Sequence, residues 1–164
     1  MLKKEDIRIR DPFILHDPEH GCYYMYGTTA LVPDCLRTTN TLSVYRTEDL
    51  SAPMGEPFML FRASDNPNVS TYKGKPNCYV TDGPFLYREN RKIKMIWSSF
   101  YQGRYLILEA KSDILKGPWK HFGSKFDFDG GHAMLFERLD GVRMISLHTP
   151  NKANFERPCF IKYD

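Results

Sequence analysis

The sequence predicts an all-β fold, and three observations support this prediction. Short runs of β-branched, aromatic and aliphatic residues recur along the 164-residue chain, and polar turns separate them. No stretch keeps a helical period for more than a turn or two. Three similar units can be laid over one another, and each opens with a polar residue at the mouth of a strand: Asp11, Asp82 or His132.

Repeats of about 40 to 50 residues, each made of four antiparallel strands, are typical of a β-propeller. The innermost strands of a propeller begin at one end of a central channel, so the residues at the three strand mouths are expected to be neighbours in space. The length of the chain suits one domain over residues 1–164.

The first unit begins at Asp11 and Pro12, which lead into a short apolar strand. A polar turn that contains Gly21 follows, and an aromatic strand over residues 22–28 returns beside the first strand. A third strand is predicted over residues 41–45. These elements predict one antiparallel sheet.

The pattern weakens between residues 51 and 77. Residues 54–61 are compatible with one strand. Residues 62–76 are rich in Ser, Asn, Pro and Gly and are predicted to form a loop. A loop of this length in a compact domain is usually functional or marks missing sequence.

The central unit is a hairpin over residues 79–100. Pro84 fixes its own φ and restricts Gly83, while Gly83 lets the backbone approach another group closely. The carboxylate of Asp82 is therefore predicted to lie at a rigid strand mouth, which suits a catalytic or ligand-binding acid. The alternative is that Asp82 caps a turn through its own backbone.

The later strands follow the same pattern of apolar runs separated by polar turns, and the Asp140–Gly141 pair marks a hairpin turn between two of them. In chain order they are predicted at residues 104–110, in a short outer strand after the turn at residues 117–119, at residues 133–137, at residues 142–148, and in a final strand within residues 149–163.

Composition excludes several classes of protein. The net charge of +3 is scattered rather than clustered, so neither nucleic acid nor a membrane is an expected partner. The four cysteines are widely spaced without a C-x-x-C pair, which argues against a zinc site, and no metal ligand set is assigned. No apolar signal segment is visible, so we expect a cytoplasmic protein with reduced thiols. An aromatic content of 14% allows stacking platforms for sugar rings.

Three groups of motifs, in this order and inside matched hairpins, resemble glycoside hydrolase family 43, whose members are five-bladed β-propellers that act on arabinose- and xylose-containing glycans. They are Arg10-Asp11-Pro12-Phe13-Ile14 with Tyr23-Tyr24-Met25-Tyr26, Thr81-Asp82-Gly83-Pro84-Phe85-Leu86-Tyr87, and Gly130-Gly131-His132-Ala133-Met134 with Leu147-His148-Thr149-Pro150-Asn151.

The resemblance implies an inverting glycosidase that needs no cofactor and acts on an oligo- or polysaccharide. Asp11 matches the general base, and Asp82 stands where the family typically has the Glu of the general acid. His132 is a candidate substrate-binding residue and matches a histidine near the channel water or cation. A structural Ca²⁺ near it is one option, and a satisfied structural histidine is the other. Arg157 is a candidate substrate clamp because a guanidinium presents a fixed fork of donors, and a surface salt bridge is its alternative.

Two departures from the family pattern matter. The chain supplies about three to four blades rather than five, and an internal deletion is predicted near residues 50–55, removing the family's middle Asp. Asp82 is one methylene shorter than Glu, and acid catalysis depends on reach. We therefore expect weak or no hydrolysis and self-association through open sheet edges. A non-catalytic carbohydrate-binding or structural propeller remnant stays open as the alternative function.

Overall fold

The computed structural model describes residues 2–3, 6–7, 9–29, 41–51 and 55–164. Within this part of the chain the regular structure is almost entirely β. The strands are β1 (Arg10–Asp17), β2 (Cys22–Thr29), β3 (Thr41–Thr47), β4 (Phe58–Arg62), β5 (Asp82–Glu89), β6 (Lys92–Tyr101), β7 (Arg104–Ser112), β8 (Lys120–Ser124), β9 (Gly131–Glu137), β10 (Arg143–Thr149) and β11 (Arg157–Lys162).

The strands form three separate antiparallel sheets. Their orders are β1-β2-β3-β4, β5-β6-β7-β8 and β11-β10-β9. Each strand pairs with the strands that precede and follow it within its sheet, as in the blades of a propeller. The prediction of an all-β, incomplete β-propeller is therefore confirmed.

Strand β4 completes the first sheet. It pairs with β3, with Leu42 opposite Phe61 and Thr41 opposite Arg62. The strand predicted over residues 54–61 thus starts later, at Phe58. Two short 3₁₀ turns, Ala63–Asp65 and Tyr72–Gly74, interrupt the predicted loop that follows. The deletion predicted near residues 50–55 stays a prediction, and residues 52–54 lie outside the described part of the chain.

Two apolar clusters hold the three sheets together. One lies between the first and second sheets and includes the buried side chains of Leu42, Trp97 and Leu108. The other lies between the second and third sheets and includes Ile96 and Ile145. Alternation along β6 explains this arrangement, since successive side chains of a strand point to opposite faces. The second sheet is therefore buried on both sides.

The outward face of the third sheet is apolar and uncovered among the described residues. Phe136 on β9 and Phe160 on β11 are 36% and 61% exposed, and their rings contact each other with centroids 6.2 Å apart. Met134, also on β9, is 41% exposed. An exposed cluster of this kind favours association with other chains.

We expect the isolated chain to self-associate through this face, and Phe160→Lys to reduce the association because it places a charge within the exposed apolar cluster. Light scattering over a concentration series measures the effect. Phe155→Lys is the matched control, since Phe155 is 55% exposed but lies outside the strands. A monodisperse monomer at every concentration would contradict the expectation.

The cysteines depart from one prediction. Cys22 and Cys159 are free thiols, but Cys78 is disulfide-bonded. The expectation of reduced thiols is therefore wrong for Cys78, because residues distant in sequence can meet in the fold without a C-x-x-C spacing. No helix in the described part of the chain is long and apolar enough to cross a bilayer.

Candidate functional site

The innermost strands of the three sheets share a β-bulge at their mouths. In β1 the pairing with β2 shifts between Arg10 and Phe13, and in β5 the pairing with β6 shifts between Asp82 and Phe85. The pairing of β9 with β10 shifts in the same way beyond Gly131. Each mouth therefore bends at the same point of its ladder.

The residue inside each bulge has a left-handed backbone. The φ angles are 49° at Asp11, 47° at Gly83 and 56° at His132. By register, Asp11 and His132 are equivalent to Gly83, whereas Asp82 is equivalent to Arg10. The sequence alignment that matched Asp82 with Asp11 and His132 is therefore wrong by one residue at Asp82. A period-two pattern does not reveal which residue a bulge inserts.

This offset lets the two aspartates point at different partners. The Arg10 guanidinium lies 3.8 Å from Oδ1 of Asp82, across the gap between the first and second sheets. Nε2 of His132 lies 3.6 Å from Oδ1 of Asp11, joining the third sheet to the first. The structure therefore brings three of the predicted site residues together: Asp11, Asp82 and His132.

Asp11 has one carboxylate oxygen without a hydrogen-bond partner among the described residues. This atom, Oδ2, is buried. The guanidinium of the preceding residue, Arg10, contacts Asp82. Oδ2 of Asp11 therefore keeps an unused acceptor among the described residues.

Asp82 is the perturbed acid of the cluster. Burial raises the pKa of its carboxyl above the ordinary value, and the charge of Asp11 adds to the rise. The hydrogen bond from Tyr105 and the charges of Arg10 and His132 oppose the rise. Desolvation prevails, so the protonated form is favoured relative to an exposed aspartate.

Two glycines make the close packing at these mouths feasible. A Cβ on Gly83 would lie 2.8 Å from Cα of His132. A Cβ on Gly131 would lie 2.8 Å from Oγ of Ser98 and would overlap the ring of Tyr105. Side chains at these positions would therefore force the second and third sheets apart.

Sequence reasoning missed Tyr105 and Ser98, which line the same cluster. The Tyr105 hydroxyl donates to Oδ2 of Asp82 over 3.1 Å, and the His132 amide donates to Oγ of Ser98 over 2.9 Å. Tyr105 lies in the alternating part of β7 and was interpreted only as a strand residue. The short Gln102–Gly103 turn is the feature of the sequence that could have located Tyr105. It fixes the pairing of β6 with β7 and so places Tyr105 near the strand mouth at Asp82.

Arg157 is not joined to the cluster by any contact among the described residues. It begins β11, is exposed, and donates to the backbone carbonyl of Glu156 over 2.8 Å. Its predicted role as a substrate clamp stays a prediction.

A cation near His132 has only a partial ligand set. The structure brings one carboxylate oxygen, from Asp11, close to the imidazole. Ca²⁺ normally takes six to eight oxygen ligands, so most of its shell would have to be water. The possible structural Ca²⁺ near His132 therefore stays a prediction, and no step proposed below uses a cation.

A second group of potential metal ligands lies at the far end of β1, formed by Asp17, Glu19 and His20. His20 Nδ1 already contacts Oδ2 of Asp17 at 3.1 Å, and the guanidinium of Arg88 lies 3.7 Å from the same oxygen. A neighbouring guanidinium disfavours a bound cation.

Comparison with solved structures identifies the fold. An endo-arabinase from Bacteroides thetaiotaomicron matches 94% of this chain at 32% identity, with a TM-score of 0.74. A thermostable family 43 glycoside hydrolase matches 94% at 18% identity with a TM-score of 0.67, and an α-L-arabinofuranosidase from Lactobacillus brevis matches 97% at 13% identity with a TM-score of 0.69.

The match covers 55%, 54% and 53% of these three structures, so this chain spans about half their length. No family model and no curated protein matches the sequence. The order of the strand-mouth motifs, the three blades and the 32% identity agree with one another. The chain is therefore a partial β-propeller of the glycoside hydrolase family 43 type.

Proposed function

We propose that this chain carries the acid and base of an inverting glycosidase site for arabinose- or xylose-containing glycans. The observation that supports this most directly is the pairing of two unlike aspartates at adjacent strand mouths. Asp82 is buried with a raised pKa, and Asp11 keeps a carboxylate oxygen without a hydrogen-bond partner among the described residues. Two carboxyl groups with different environments suit an acid and a base.

The proposed roles follow from those environments. Protonated Asp82 gives its proton to the glycosidic oxygen as the bond from that oxygen to the anomeric carbon breaks. Ionised Asp11 takes a proton from a water whose oxygen attacks the anomeric carbon from the opposite face. One C–O bond breaks, one forms, and the anomeric configuration inverts. The two carboxyls then exchange protons with solvent to restore the starting state.

Arg10 and His132 support opposite sides of this site. The charge of Arg10 beside Oδ1 of Asp82 stabilises the carboxylate that forms when the acid has given up its proton. His132, whose Nε2 lies 3.6 Å from Oδ1 of Asp11, orients the base.

The substrate class is proposed from the matched structures. The structure at 32% identity is an endo-arabinase, and another with the same fold is a β-xylosidase/α-arabinofuranosidase bound to xylotriose. Arabinan oligosaccharides are therefore the first substrates to test, followed by xylo-oligosaccharides.

The isolated chain is expected to hydrolyse aryl arabinofuranosides and xylosides only weakly. It spans about half of the matched enzymes, so fewer blades shield Asp82 from water. Asp11→Asn and Asp82→Asn should each lower the remaining turnover by ~10²-fold or more.

Activity should fall as pH rises through the raised pKa of Asp82. NMR of the released sugar reports inversion.

Turnover that neither substitution affects, or a product of retained configuration, would refute these roles. Ser146→Ala is the matched control, since Ser146 lies in β10 and is bonded to the Met134 carbonyl rather than to the cluster.

Glycan binding without hydrolysis is the second candidate function. It is favoured by the shorter reach of Asp82 compared with Glu and by the half-length match. Calorimetric binding of an arabinan oligosaccharide that is lost in Asp11→Asn, with no turnover at any pH, would support this function over hydrolysis.

A further inference from the structure

Tyr105 hydrogen-bonds the buried acid and packs against Gly131 and His148 of the third sheet. Its side chain is 5% exposed, and its hydroxyl donates to Oδ2 of Asp82 over 3.1 Å. The backbone amide of His132 donates to Oγ of Ser98 over 2.9 Å, and this oxygen lies near the Tyr105 hydroxyl. Residues of the second and third sheets therefore meet beside the Asp82 carboxyl.

The donor and acceptor of each of these two bonds are known. A backbone N–H can only donate, so Oγ of Ser98 accepts from His132. The Tyr105 hydroxyl donates to Oδ2 of Asp82, so that oxygen is the acceptor of the pair.

Tyr105 also stays a donor over the whole physiological range. Burial raises its pKa well above the ordinary value, and the charge of Asp82 and the bond to it raise it further. Its ring stacks on His148 with centroids 6.1 Å apart and contacts Phe100 at 5.5 Å. The missing side chain of Gly131 leaves the space that the ring occupies.

We propose that Tyr105 is a positioning residue that keeps Oδ2 of Asp82 as an acceptor and so places the transferable proton on Oδ1, the oxygen that faces Arg10. This assignment rests on the proposed role of Asp82 as the acid. It gives the short aspartate one orientation, which matters because general acid catalysis requires the proton within hydrogen-bond reach of the leaving oxygen.

The groups that act on the Asp82 carboxyl come from three sheets. Tyr105 on β7 and the charges of Arg10 and His132, on β1 and β9, favour the carboxylate, while the charge of Asp11 on β1 opposes it. Tyr105 is the neutral donor among them. Removing its hydroxyl therefore changes one hydrogen bond and no formal charge.

The experiment is a carbon-13 NMR titration of the Asp82 carboxyl in the whole chain, which needs no turnover. Tyr105→Phe should move the midpoint to higher pH, because the carboxylate loses a donor while its burial is unchanged. Ser98→Ala removes the acceptor of the His132 amide but keeps the Tyr105 hydroxyl, so it should give a smaller shift than Tyr105→Phe.

Tyr87→Phe is the matched control. It removes a hydroxyl that bonds Tyr163 over 2.8 Å, in the same sheet as Asp82, and should leave the midpoint unchanged. Equal midpoints in Tyr105→Phe and the parent chain, or an equal shift in Tyr87→Phe, would overturn the proposal. A shift specific to Tyr105→Phe without any hydrolysis by the parent chain would keep the positioning role and refute the glycosidase role.

Discussion

Trp97→Ala is expected to destabilise the protein by about 3 to 5 kcal/mol. Trp97 lies in β6, is fully buried, and contacts the ring of Phe61 at 5.3 Å between the first and second sheets. A domain of this size is typically stable by about 5 to 15 kcal/mol, so the loss is a large share of the total. Denaturant unfolding followed by circular dichroism measures it.

Leu139→Ala is the control for this variant, because Leu139 is fully exposed in a turn. It should change the stability by less than about 0.5 kcal/mol. If Trp97→Ala cost no more than Leu139→Ala, the first and second sheets would not share the packed core described above.

Gly131→Ala is expected to produce the second-largest effect, a loss of about 1 to 3 kcal/mol of stability. It should also break the hydrogen bond from Tyr105 to Asp82. The added methyl group would overlap the Tyr105 ring and lie 2.8 Å from Oγ of Ser98, both of which are buried. Thermal unfolding and the Asp82 titration report the two consequences separately.

Gly55→Ala is a matched substitution, since a Cβ there meets only the Arg46 carbonyl at 3.6 Å, an ordinary contact. Its stability should stay close to that of the parent chain. A Gly131→Ala protein with unchanged stability and an unchanged Asp82 midpoint would show that the two sheets are not in tight contact at this mouth.

The strands were predictable because their periodicity is local. The predicted strands at residues 104–110 and 133–137 lie within β7 and β9 and agree with them to about two residues at each end. The bounds of outer strands were harder to predict. β4 begins four residues later than predicted, because an outer strand has fewer buried positions and a weaker alternating pattern.

The site was predictable only in part. The polar residue at each strand mouth identified Asp11, Asp82 and His132, since turn chemistry marks a mouth in the sequence. Which partner each side chain faces depends on the bulge, and a bulge shifts the register without leaving a pattern of its own. Tyr105 was missed for a related reason, because its role comes from a contact between strands.

The left-handed residue at each strand mouth has a consequence for protein engineering. The second blade has glycine there, which adopts that backbone freely, whereas Asp11 and His132 hold it at a cost of roughly 1 kcal/mol each. A laboratory selection for heat resistance would therefore favour glycine at both positions, which would relieve the backbone but remove the two side chains that contact each other at 3.6 Å. The equivalent left-handed position is Asp in the first blade, Gly in the second and His in the third. Different side chains can therefore be placed at this position without changing the pairing of the strands.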